Sequence, residues 1–104
     1  MQIQHTAKDF ELTDAIRSHA EEKLAKACAQ VVRDSALRVH VTYETVGHHH
    51  HGDNRGIHVV VYLPGGEPLQ ATEVAGDLYA AIDRAAKDIE RQVRRQRDRG
   101  AARH

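Results

Sequence analysis

Between Gly76 and Arg99 runs GDLYAAIDRAAKDIERQVRRQRDR, a stretch with no proline and no glycine after its first residue. In a chain of 104 residues, an uninterrupted helix of this span requires a partner layer. Asp77 suits its N-cap, because a short side-chain acceptor can reach the first unpaired amides. At about 100° per residue, Tyr79, Ile82, Ala86, Ile89 and Val93 fall on one stripe. Arg84, Arg91 and Arg95 fall almost opposite, with Lys87 and Arg94 beside them, and Asp83, Asp88 and Glu90 dilute the row. Its place on the stripe favours the core for Tyr79 over a ring that stacks on a base. The cations form either an ordinary solvated face or an electrostatic footprint for a polyanion.

Net charge does not separate these readings, since 15 basic residues balance 15 acidic ones. The distribution does more. Residues 84–104 hold eight basic and three acidic residues, whereas residues 1–83 hold seven basic and twelve acidic ones. That asymmetry suggests nucleic acid, an acidic partner or a membrane surface. A membrane is disfavoured because the apolar stripe is rich in alanine and is needed for the core. Cys28 is the only cysteine, which excludes a disulfide framework and a cysteine-based zinc motif and fits a reducing compartment. The first residues, MQIQHTAKDF, lack an apolar signal core, and no run approaches a membrane span, so a soluble cytoplasmic protein is expected. Residues 1–99 read as one domain and 100–104 as a disordered basic tail.

Taken in order, residues 2–6 form a short strand candidate with Ile3 and His5 on one side. Phe10 and Leu12 anchor a connector. Thr13 caps a first helix that runs to about Ala29, with Ile16, Ala20, Leu24 and Ala27 as its apolar stripe. His19, Lys23 and Lys26 lie along one flank of that stripe. Residues 36–46 alternate cleanly, with Leu37, Val39, Val41 and Tyr43 facing one way and Arg38, His40, Thr42 and Glu44 the other. A polar loop follows. Ile57, Val59, Val61 and Leu63 mark the inward side of the next strand, and Val60 and Tyr62 make its outer side unusually apolar. Pro64-Gly65-Gly66 is a turn, and 69–74 is the returning strand. The order β-α-β-β-β-α predicts an α+β two-layer sandwich, a four-stranded sheet with both helices on one face. The basic flanks of the two helices would then border the groove between them.

These residues resemble the ribosome hibernation promoting factor family, which includes the ribosome-associated inhibitor called protein Y and was once labelled a sigma-54 modulation family. The resemblance rests on the Thr13-Asp-Ala-Ile-Arg17 helix start, the Glu22-Lys-Leu-Ala-Lys26 run, the Leu63-Pro-Gly-Gly-Glu67 turn, and above all Asp77-Leu-Tyr-Ala-Ala-Ile-Asp83 followed by Ile89-Glu-Arg-Gln-Val93. It implies a fold similar to double-stranded-RNA-binding domains. It also implies binding to the small ribosomal subunit and its 16S ribosomal RNA, over the mRNA and tRNA sites, which keeps ribosomes idle under stress or in stationary phase. The length resembles the short family members, which implies a monomer that inactivates ribosomes alone or pairs them with the help of another dimerising factor. Basic family positions fall on Arg17, Lys23 and Lys26 of the first helix and on Arg91 and Arg95 of the last, with Arg97 and Arg99 in its basic end. Together with the wheel positions, the expected RNA-binding set is Arg17, Lys23, Lys26, Arg84, Lys87, Arg91, Arg94 and Arg95. The chain departs from the family at Lys87-Asp88, where Asp-Lys is usual. A cation moves around the helix and an acid enters the arginine row, so a reshaped contact is expected.

No catalytic constellation is present in the sequence: there is no glycine-rich phosphate loop and no nucleophile elbow. No cofactor is implied. His48, His49, His50 and His51, with Asp53 or His58, are weak candidates for a zinc, nickel or copper site, because adjacent residues in a loop cannot easily aim at one ion. The same cluster could instead make a pH-dependent RNA contact or be a plain hairpin loop. A generic duplex-RNA-binding module and a metal-binding module therefore remain beside the ribosomal reading.

Overall fold

The computed structural model describes residues 1–31, 37–46 and 54–102, the last six of these by backbone alone. The elements are β1 (Gln2–Ala7), α1 (Asp14–Ala27), β2 (Arg38–Thr45), β3 (Arg55–Tyr62), β4 (Leu69–Ala75) and α2 (Leu78–Ala102). They form one four-stranded sheet in the order β1-β2-β3-β4. β1 pairs parallel with β2, as a strand–helix–strand crossover requires, and the other two pairings are antiparallel. Both helices cover the same face, so the two-layer α+β sandwich is the fold.

The strand alternation does what its period implies. Leu37, Val39, Val41, Tyr43, Ile57, Val59 and Val61 are buried beneath Ala20, Leu24, Ile82, Ile89 and Val93 of the helices. Each fully buried aliphatic side chain of this kind contributes about 1.5–3 kcal/mol. Phe10 stands edge-on to Tyr43, and Leu12 packs against the core, which ties the connector down. Gly56 is required by proximity: a Cβ there would lie 2.9 Å from Val46 Cγ2 and 3.3 Å from Glu44 Cγ. Gly65 adopts φ +71°, the conformation that the turn after Pro64 needs at that position.

Both helix starts are capped as expected. The Ile16 amide donates to Thr13 Oγ1 at 3.2 Å, and the Ala80 amide donates to Asp77 Oδ1 at 2.8 Å. The ends differ from expectation. α1 stops at Ala27, with Cys28 as C-cap, two residues before Ala29. α2 runs through Gly100 to Ala102, so residues 100–102, expected in a disordered tail, are helical. One glycine costs a helix about 1 kcal/mol, and the flanking alanines are the best helix formers. Residues 103–104 lie outside the described set.

Tyr79 is corrected too. It is 42% exposed, and Leu78 is buried in its place. The buried arc of α2 comprises Leu78, Ala81, Ile82, Ala85, Ala86, Ile89 and Val93. Tyr79 sits at the rim of that arc, on the side nearer α1, because the helix is rolled toward Ala81 and Ala85. The small alanines let α2 lie close to the sheet. Rolling also brings polar side chains over the free edge of β4. Gln92 Nε2 donates to the Gln70 carbonyl at 2.7 Å, and Arg84 donates to the Val74 carbonyl at 2.8 Å. An edge strand exposes unpaired backbone acceptors, and these two bonds occupy a pair of them.

Candidate nucleic-acid interface

The flank of α1 carrying His19, Lys23 and Lys26 faces α2. His19 Nε2 donates to Asp83 Oδ1 at 2.8 Å, and its ring meets Tyr79 edge-on at 5.1 Å between centroids. A carboxylate can only accept, so the hydrogen is on Nε2. This bond and ring contact clasp the two helices at one end. Beyond the clasp, a groove opens between them, lined by Lys23, Lys26, Asp83, Ala86, Lys87 and Glu90. It continues past Lys26 and Glu90 to Gln30 and Arg94. Glu90 accepts from Arg94 at 3.0 Å. Both acids of the groove are thus engaged. Among the described residues, the ammonium groups of Lys23, Lys26 and Lys87 have no carboxylate within ion-pair reach.

The expected cations therefore divide. Lys23 and Lys26 of α1 share the groove with Lys87 and Arg94 of α2. Arg84, Arg91 and Arg95 do not border it, contrary to the expected convergence. Arg84 is turned to the β4 edge, and Arg95 lines a separate cleft with Glu67, Leu69, Gln92 and Gln96. Arg91 projects from the crest of α2, its side chain 68% exposed and 3.9 Å from Asp88. Arg17, exposed on α1, does not line the groove. The cause is the roll of α2, which turns the arginine row outward and toward β4. The Lys87-Asp88 order gains meaning from it: Lys87 enters the groove, while Asp88 accepts from Gln92 at 3.3 Å on the β4 side.

The arrangement can hold a polyanion. Lysine supplies movable point charges, and arginine a planar fork matched to phosphate. His48–His51 and Asp53 lie outside the described residues, and among those described no group of three potential metal ligands forms.

Sequence reasoning missed two contacts that shape this layer. One is the His19–Asp83 clasp. The other is a chain in which His5 bridges Tyr43 Oη at 2.8 Å and Glu21 Oε1 at 3.1 Å. Partners 64 and 38 residues apart leave no local signal.

The model of one family, described as sigma 54 modulation protein / S30EA ribosomal protein, matches residues 3–100. The chain belongs to that family. Among its curated relatives, a ribosome hibernation promotion factor of Deinococcus radiodurans is 33% identical over 96 residues, covering 91% of this chain and 49% of the relative. A ribosome hibernation promoting factor of Azotobacter vinelandii is 28% identical, covering 89% of this chain and 79% of the relative. The chain thus spans about half of the first relative and most of the second. The crystal structure of the Thermus thermophilus protein Y N-terminal domain superposes with a TM-score of 0.74 at 36% identity, over 91% of this chain and 98% of that one. A ribosomal subunit interface protein from Coxiella burnetii has the same fold, with a TM-score of 0.76 at 21% identity, over 94% of this chain and 99% of that one. No helix among the described residues is long and apolar enough to cross a membrane.

Proposed function

We propose that this protein acts in the cytoplasm as a ribosome hibernation factor. It binds the small subunit as a monomer and occupies the channel that mRNA and tRNA need. The groove between α1 and α2 grips the backbone of 16S ribosomal RNA through Lys23, Lys26, Lys87 and Arg94, with Arg91 adding charge at the crest. Inhibition is by exclusion, and no bond is made or broken. The observation that carries this reading is the meeting of cations from both helices along one cleft, in a chain that matches the family over residues 3–100. The names of the relatives support the ribosome as target.

Structured RNA is read largely through backbone and shape, so a stiff helix pair carrying cations needs no base-reading motif. The His19–Asp83 clasp holds the helices at a fixed separation. Four cations neutralising four phosphates give a log–log salt slope of about −3 to −4.

Cosedimentation of the purified protein with small subunits, at two salt concentrations, tests the proposal. The Lys23→Glu, Lys87→Glu double variant loses binding and flattens the salt slope by about 2. Arg95→Glu, on the β4 side, binds much as the parent does. Unchanged cosedimentation of the double variant refutes the groove as the RNA contact.

A further inference from the structure

Among the described residues, none forms a layer of secondary structure on the face of the sheet opposite the helices. The strand register sorts its outward residues into rows: Gln2, Arg38 and Tyr62; then Gln4, His40, Val60 and Gln70; then Thr6, Thr42, His58 and Thr72; then Glu44, Gly56 and Val74. Three ring side chains form a shallow triangle on the two central strands, because His40 of β2 pairs with Val60 and so sits diagonally from both Tyr62 and His58 of β3. Diagonal neighbours of an antiparallel pair are about 7–8 Å apart. Tyr62 is 47% exposed, so its ring is open to a ligand. The imidazoles are held from the flanks: His40 Nε2 bonds Thr6 Oγ1 of β1 at 3.0 Å, and His58 Nδ1 bonds Thr72 Oγ1 of β4 at 2.7 Å. Rings tethered in this way lose little freedom when something stacks on them.

Charge is graded along the face: Arg38 lies in the first row with Tyr62, the two middle rows carry no carboxylate, and the one acid, Glu44, lies in the row farthest from Arg38. Gln2, Gln4 and Gln70 add amide groups that can both donate and accept. A row of rings beside a cation and amides, on a four-stranded sheet backed by two helices, suits unpaired bases with their phosphates. A protein partner would be expected to find more aliphatic surface than Val60 and Val74.

We propose that this open face binds single-stranded RNA. Bases stack on Tyr62, His40 and His58, and Arg38 holds a phosphate of the same strand. The molecule then has two RNA surfaces on opposite layers, the groove for structured RNA and the sheet for an unpaired strand. This goes beyond the ribosomal reading and does not depend on it.

The test is fluorescence anisotropy of a labelled oligouridylate of about ten nucleotides, in about 0.1 M salt, with the full chain. The parent binds. Tyr62→Ala with His40→Ala weakens binding at least about ten-fold, whereas Tyr62→Phe, which keeps the ring, stays within about two-fold of the parent. The Lys23→Glu, Lys87→Glu variant still binds the oligonucleotide, which separates this surface from the groove. Thermal melts confirm that the exposed substitutions leave the fold intact. No binding by the parent overturns the proposal, as does equal binding by parent and Tyr62→Ala, His40→Ala. Loss of ribosome cosedimentation in that variant, with no oligonucleotide binding by the parent, assigns the face to a ribosomal contact other than an unpaired strand and also overturns it.

Discussion

Tyr43→Phe removes one oxygen from the centre of the molecule, and the consequence can be worked out atom by atom. Tyr43 is fully buried, and its hydroxyl lies 2.8 Å from His5 Nδ1. The other ring nitrogen, Nε2, faces the Glu21 carboxylate at 3.1 Å. A carboxylate only accepts, so Nε2 carries the hydrogen, and in the neutral ring Nδ1 must accept from the Tyr43 O–H. The His5 side chain is only 7% exposed, so water has little access to Nδ1 once the hydroxyl is gone. Leaving one buried acceptor unsatisfied costs about 1–3 kcal/mol. Each kcal/mol lowers Tm by about 4–8 °C in a domain of this size. Replacing both partners, as in His5→Leu with Tyr43→Phe, removes the orphaned group, and Glu21 is exposed enough to be hydrated. The double variant is therefore less destabilised than the sum of the single variants by about 1 kcal/mol or more. Urea unfolding followed by circular dichroism measures all four species. A Tyr43→Phe cost below about 0.5 kcal/mol, or strict additivity in the cycle, refutes the account.

Three further predictions concern the helix cap, alkaline pH and thiol reactivity. Asp77→Ala deletes the acceptor of the Ala80 amide and lowers stability by about 1 kcal/mol, read as a lower midpoint in urea with an unchanged slope. Burial pushes the Cys28 thiol up from 9.0 to about 11, and burial, reinforced by the Glu21 carboxylate and opposed by Arg17, pushes the Tyr43 phenol above its ordinary range. In both groups the unfolded chain releases its proton first. Their contribution is therefore complete below about pH 9 and is lost as pH rises toward the folded-state values. Stability measured from pH 8 upward should fall, and Cys28→Ala should fall less steeply across pH 9–11. A parent curve that is flat or rising there contradicts the burial argument. The same burial makes Cys28 inert to thiol reagents until the protein unfolds, which a reaction time course in native buffer and in urea checks.

The sequence alone determined the elements, their order, the faces of the strands, both N-caps and the turn at Pro64–Gly65, because each depends on local periodicity or on a conformation that one residue type favours. It also identified the cations, of which Lys23, Lys26, Lys87 and Arg94 share one groove. The roll of α2 was left to the tertiary structure. A stripe that includes Ala86 as readily as Ala81 and Ala85 fixes the burial direction only to within a residue or two, and alanine packs closely wherever the sheet leaves room. That roll turned Tyr79 out against His19 and sent Arg84 and Arg95 toward β4. It also set Lys87 facing Lys23 across the groove. Contacts such as His19–Asp83 and His5–Tyr43–Glu21 belong to the same category, since they join side chains far apart in sequence whose meeting depends on how the layers dock.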